Sequence, residues 1–220
     1  MRSIVIQFPD SNGDRDAVTG IEIATGHRPS MVWYQDTELP AADLIILPGG
    51  FSFGDYLRAG AMAAQAPIMP AVKAAAEAGV PIMGICNGFQ VLTESGLLPG
   101  ALIRNASLRF VARDLDIRVE AFRSPFTDHL ERGTVLNLPV AHMDGNYVAD
   151  ATTLARLEEQ ERVAFRYLDN PNGSANDIAG ILSENRRVLG LMPHPERAAD
   201  PALGKADGGI LFKGLLEAVA

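Results

Sequence analysis

The chain has 220 residues, 47% of them apolar and 21% charged, and its 19 basic residues against 27 acidic ones give a formal charge of −8. That balance argues against nucleic acid or an anionic membrane as the main partner, and no apolar stretch approaches the roughly 20 residues that span a bilayer. One cysteine, Cys86, excludes an intramolecular disulfide and fits a reducing compartment. The apolar run Ile4–Ile6 near the N-terminus is too short for a signal peptide, so a soluble cytoplasmic protein of one domain, residues 1–220, is expected.

In chain order, Ser3–Gln7 reads as a buried strand. Asp14–Gly26 carries helical spacing in Val18, Ile21 and Ala24, with Gly26 placed to end the helix. Ser30–Tyr34 and Asp43–Leu47 read as strands, the latter stopped by Pro48-Gly49-Gly50. Ala66–Gly79 is an Ala-rich helix with Pro67 near its start, Pro81–Ile85 a strand, and Asn87–Ser95 the helix behind it. After Pro99 the texture changes. Ser107–Val111, Asp116–Phe122, Val135–Ala141, Arg162–Tyr167 and Ile178–Leu182 read as further strands, several of them antiparallel. Asp150–Glu161 suits a surface helix, Asp169–Asp177 a loop, and Asp207–Val219 a closing helix. Continuous apolar strands alternating with helices predict an α/β fold: an open, mostly parallel, doubly wound sheet with added antiparallel strands.

The chemistry concentrates where Gly84-Ile85-Cys86-Asn87-Gly88-Phe89-Gln90 joins a strand to a helix. Gly-x-Cys-x-Gly has the form of a nucleophile elbow, in which a sharp turn lifts the nucleophile out at the carboxyl edge of the sheet. The following helix N-terminus favours a thiolate. The competing reading is a buried structural cysteine at a tight turn. A nucleophile needs a base and an orienter. Val188–Met192 delivers His194 to a strand end between two prolines, and Glu196, two residues on, projects to the same side if the stretch is extended. Pro48-Gly49-Gly50-Phe51 can turn a backbone N–H toward the reaction centre. The expected oxyanion donors are the N–H of Gly50 or Phe51 together with that of Asn87.

Other features carry less. Asp10–Asp14 superficially resembles a calcium loop but has Arg15 where glycine and Ile21 where glutamate belong, so no metal site is expected. Arg104, Arg109, Arg113 and Arg118 read as a solvated face, and His27 and His129 as solvent residues. No Gly-x-x-x-x-Gly-Lys-Ser/Thr phosphate loop is present.

Together the elbow, the Gly-Gly loop and His194-Pro195-Glu196 resemble the class I (triad) glutamine amidotransferases, whose flavodoxin-like fold is the one expected here. Pro48–Gly60 (PGGFSFGDYLRAG), Arg109-Phe110-Val111, Pro139–His142 and Met192–Arg197 are similar, more narrowly, to the branch serving phosphoribosylformylglycinamidine synthases in purine synthesis. The resemblance implies a Cys86–His194–Glu196 triad that hydrolyses glutamine. It also implies glutamine contacts from Gly49 and Gln90, with His142 near the glutamine pocket or structural. ATP and Mg²⁺ would belong to a large synthetase subunit that receives the ammonia, with a small accessory subunit in bacteria and no cofactor in this chain. The family often has glycine at Asp10 and cysteine at Gly13; both positions are expected to lie away from the triad blocks. Three alternatives stand beside this reading: a cysteine hydrolase of a related fold, the glutaminase subunit of another amidotransferase, and an inactive binding subunit. The first usually has histidine directly after the cysteine, where this chain has Asn87; the last conflicts with an intact Cys86, His194 and Glu196.

Overall fold

A computed structural model describes residues 1–218, so the expected helix end at Val219 lies outside the described residues. The elements begin with β1 (Ser3–Gln7), α1 (Asp14–Thr25), β2 (Ser30–Trp33) and β3 (Leu44–Leu47). Next come α2 (Met69–Glu77), β4 (Ile82–Ile85), α3 (Asn87–Glu94), β5 (Ala101–Ile103) and β6 (Val111–Val119). The chain continues through β7 (Val135–His142), β8 (Asn146–Val148), α4 (Ala151–Glu159), β9 (Val163–Tyr167), β10 (Ile178–Leu182), β11 (Val188–Leu191) and α5 (Asp207–Ala218).

The main sheet has the order β2-β1-β3-β4-β11-β10-β9-β6-β7. Its first five strands are parallel neighbours, and the next four are added antiparallel. Parallel strands must be covered on both faces, and Leu44–Leu47 and Ile82–Ile85 are buried throughout. Each such aliphatic side chain contributes about 1.5–3 kcal/mol of burial. Helix α3 packs on β3, β4 and β11, while α1 packs against α5. The turn at the end of α1 forms as expected: Gly26 adopts φ 72° and donates its N–H to the Glu22 carbonyl. Asp150 caps α4 by accepting from the Thr153 N–H at 2.8 Å.

Several expectations fail locally. The strand expected over Ser107–Val111 is a loop, and β6 instead starts at Val111 and stops at Val119. Asn105 competes for this backbone: its carbonyl accepts from Leu108 N–H, its Nδ2 donates to the Arg109 carbonyl, and Leu108 is left-handed at φ 56°. A small second sheet, β5 with β8, has strands of three residues and was not foreseen. His129 is half-buried rather than a solvent residue, because α5 passes so closely that a Cβ on Gly214 would overlap its ring.

Candidate active site

Three adjacent parallel strands end side by side at the carboxyl edge, and each delivers one part of the site. β3 leads into Pro48-Gly49-Gly50, β4 into Cys86, and β11 into Met192-Pro193-His194. The register is close: Leu47 pairs with Gly84, Ile85 with Leu191, and the Cys86 N–H donates to the Leu191 carbonyl at 2.7 Å.

Cys86 has φ 50° and ψ −104°, a backbone conformation that costs a non-glycine residue of order 1–3 kcal/mol. The N–H groups of the following turn are tied back to it, since Phe89 and Gln90 both donate to the Cys86 carbonyl. The elbow glycine at 88 has a steric reason: a Cβ there would sit 1.9 Å from the Leu47 carbonyl oxygen. The thiol is 5% exposed and points at the Ala141 carbonyl, 3.8 Å away.

His194 enters the site because its N–H donates to the Pro139 carbonyl at 2.8 Å. Glu196 does not lie in an extended stretch, as the His-x-Glu spacing suggested; it sits in a 3-10 turn, Pro195–Ala198. The turn still brings the carboxylate round, and Nδ1 of His194 and Oε1 of Glu196 are 2.6 Å apart, both side chains buried. Burial works against the imidazolium. The charges and hydrogen bonding of Glu196 and Cys86 outweigh it and raise the His194 imidazole to about 10. Cys86 is near enough to add to that shift, yet Nε2 has no partner of good geometry among the described residues. Catalytic hydrogen bonds are often loose until substrate binds.

The Gly-Gly loop closes the other side. A Cβ on Gly49 would stand 2.8 Å from Cε1 of His194 and 3.5 Å from Cβ of Cys86, so glycine lets the loop touch both. Gly50 has φ 134°. Of the two loop amides expected as oxyanion donors, that of Phe51 already donates to the Asp10 carbonyl at 3.4 Å. The Gly50 N–H donates to no described group, nor does the Asn87 N–H. The loop rests on residues 8–13. Ser11 Oγ and the Gly13 N–H both donate to the Gly49 carbonyl, at 3.0 and 3.1 Å. Asp10 and Gly13 are therefore directly beneath the oxyanion loop, not away from the triad blocks. A Cβ at Gly13 would come within 2.9 Å of the Gly49 oxygen.

Gln90 and His142 take positions that differ from a simple substrate contact. Gln90 is 5% exposed with both ends of its amide engaged, accepting from Asn87 Nδ2 at 2.8 Å and donating to the Asp144 carbonyl at 2.6 Å. His142 is buried between Asn105 Oδ1, at 3.1 Å from Nδ1, and Asn172 Nδ2, at 3.5 Å from Nε2. Burial, helped by the charge of His194, pushes its imidazole down to about 4, so it is neutral at physiological pH. Asp55, beside Asn87, is raised to about 6 by burial and by Asp144, against a hydrogen bond from Asn87. Sequence reasoning missed Asn105, Asn172 and Asp144, which are far from their partners along the chain and carry no local pattern. Arg104, Arg113 and Arg118 are exposed and ion-paired, as a solvated face requires.

The arrangement offers a thiol, an imidazole backed by a carboxylate, and two unengaged amides, which is the equipment that acyl transfer from an amide requires. Residues 1–206 match the family described as a CobB/CobQ-like glutamine amidotransferase domain. The chain belongs to the glutamine amidotransferase family, and it is an enzyme of that class. Among its relatives, phosphoribosylformylglycinamidine synthase subunit PurQ of Cereibacter sphaeroides is 59% identical, covering 100% of this chain and 99% of that protein. The protein of the same name in Rhodospirillum rubrum is 53% identical over 100% of both. A chain in the structure of PurLQS from Thermotoga maritima superimposes with a TM-score of 0.91 at 45% identity, covering 100% and 99%.

Two outcomes are expected. Gly49→Ala should push the His194 ring off its carboxylate. Glutamine hydrolysis should then fall by about a hundredfold while the melting temperature stays close to wild type. His142 binds its proton less readily folded than unfolded, so its contribution to stability is complete above pH 6.5 and is lost as pH falls through about 4. Urea titrations should show a shallower acid decline across that window in His142→Gln.

Proposed function

We propose that this chain is the glutaminase subunit of phosphoribosylformylglycinamidine synthase. It releases ammonia from the side-chain amide of glutamine and passes it to a synthetase subunit. The observation that carries the reading is the meeting of Cys86, the His194–Glu196 pair and the Gly49-Gly50 loop at three adjacent strand ends.

In this mechanism the Cys86 thiol gives its proton to Nε2 of His194, and Sγ attacks the amide carbon of glutamine. The developing oxyanion takes hydrogen bonds from the Gly50 and Asn87 amides. Removing one such donor costs about 10²–10³ in turnover. His194 then protonates the departing nitrogen, the carbon–nitrogen bond breaks, and ammonia leaves behind a γ-glutamyl thioester. A water molecule, deprotonated by His194, attacks the thioester, and glutamate departs as Sγ recovers its proton. Glu196 holds the imidazole by Nδ1 and offsets its charge. A raised His194 suits the proton-donating step. These steps need no metal or cofactor from this chain; ATP and Mg²⁺ are assigned to the synthetase.

Apolar exposure supports a docked partner. Phe51, Tyr56 and Leu57, on the loop after β3, are 42%, 74% and 90% exposed, and Leu108 and Phe110, on the loop before β6, are 71% and 47% exposed. Solvent-exposed apolar groups of this kind are costly to a free monomer and suit a covered surface. The synthetase, of the PurL kind, fits here because ammonia must leave this mouth without being lost to water. The small subunit, of the PurS kind, is assigned to the same complex. No helix among the described residues is long and apolar enough to cross a membrane, and a cytoplasmic location follows from the reading of the complex.

Cys86→Ala should abolish glutamine-dependent synthesis by the reconstituted complex, and free ammonia should restore it. Residual glutamine-dependent turnover near wild type would refute the nucleophile. Failure of ammonia to rescue would refute the transfer role.

A further inference from the structure

The oxyanion loop is an unusual piece of backbone. Gly50, Phe53, Gly54, Asp55 and Leu57 all have positive φ, three of them non-glycine residues in a costly conformation. Its tip is not held by packing, since Tyr56 and Leu57 are largely exposed. Residues 9–13 hold Gly49, Phe51 and Phe53 from one side, and Ser52, between them, is held from α3 on the other. The triad mechanism assigns Asn87 only its backbone N–H, yet its side chain is 2% exposed and three groups converge on it.

Asn87 Oδ1 accepts from the buried N–H of Ser52 at 3.2 Å. Its Nδ2 donates to Gln90 Oε1 at 2.8 Å and to Asp55 Oδ1 at 3.3 Å. Gln90 in turn donates to the Asp144 carbonyl at 2.6 Å. A backbone N–H at one end and a backbone carbonyl at the other leave only one orientation for both amides. The chain of bonds runs from the oxyanion loop, through α3, to the loop after β7.

We infer that Asn87 is a positioning residue which sets the two halves of the oxyanion hole at a fixed separation, its own backbone amide forming one half and its side chain anchoring the loop that carries Gly50, the other. The inference rests on the glutaminase reading. It assigns Gln90 to bracing Asn87 rather than to holding substrate. Losing the Asn87 side chain leaves its N–H in place, removes the loop's anchor on the α3 side, and strands the Ser52 N–H without a partner.

The test is steady-state glutamine hydrolysis by the full-length chain, alone and with its synthetase partner, in wild type, Asn87→Ala and Asn87→Asp. For Asn87→Ala, kcat is expected to fall by about tenfold to a hundredfold with little change in KM, because the hole acts on the transition state and not on bound glutamine. Asn87→Asp keeps an acceptor for Ser52 but cannot donate to Gln90 and Asp55 while ionised. Its kcat relative to wild type is expected to recover as pH falls and the carboxyl gains a proton, which a residue needed only for folding would not show. An unchanged kcat in Asn87→Ala overturns the inference, as does a loss carried by KM instead. Should Asn87→Ala not fold, a pH-independent ratio for Asn87→Asp overturns it equally. Absence of glutamine hydrolysis by the wild-type complex would instead refute the glutaminase reading itself.

Discussion

The site depends on one backbone constraint, the left-handed turn at Cys86. With φ 50° and ψ −104°, the residue cannot continue β4 and cannot yet join α3, so its side chain is thrown forward at the sheet edge. The surrounding structure holds it there. The Cys86 N–H is committed to Leu191, its carbonyl accepts from Phe89 and Gln90, and Gly88 lies where any side chain would strike Leu47. Strain of this kind persists only where neighbours over-determine it. Here those neighbours are β3 and β11, the same strands that carry the Gly-Gly loop and His194. The sheet register thus positions all three parts of the site at once.

Around this turn the polar groups fall into two buried systems. The first is the His194–Glu196 pair, where opposite charge and a hydrogen bond overcome the cost of burial and favour the protonated imidazole. The second is neutral: Asn105 Oδ1 takes both Nδ1 of His142 and the Gly145 N–H, while Asn172 Nδ2 reaches the Gly145 carbonyl. Burial disfavours the charged form of His142, whereas Glu196 favours the charged form of His194. The neutral system shapes the loop after β7, and through Asp144 and Gln90 it reaches Asn87 and the oxyanion loop.

Much of this was legible in the sequence. Apolar runs of four or five residues between glycines and prolines mark β1, β3 and β4, because parallel strands are buried on both faces. The elbow was legible because glycine spacing reports a steric requirement that no other residue meets. His194 could be picked out of four histidines by its place at a strand end. What escaped were features decided by tertiary context. Asn105 breaks the strand expected over Ser107–Val111 by bonding local backbone, and β5 and β8 are too short to show a period. Glu196 reaches His194 through a 3-10 turn rather than by alternation along a strand. Gly13 seemed remote from the triad because it is 73 residues from Cys86 in sequence; folding lays it against the Gly49 carbonyl. Asn87 carried two roles, and only the backbone one follows from its position after the nucleophile.

The central claim is that Cys86 attacks the amide carbon of glutamine. A chloroketone analogue of glutamine puts an electrophilic carbon at the position the amide carbon would occupy. Peptide mass mapping after its reaction with the full-length chain reads the claim directly. The account predicts one adduct, on Cys86, forming in step with loss of glutaminase activity and slowed by glutamine. An adduct elsewhere accompanying inactivation, or alkylation of Cys86 that glutamine does not slow, would contradict it.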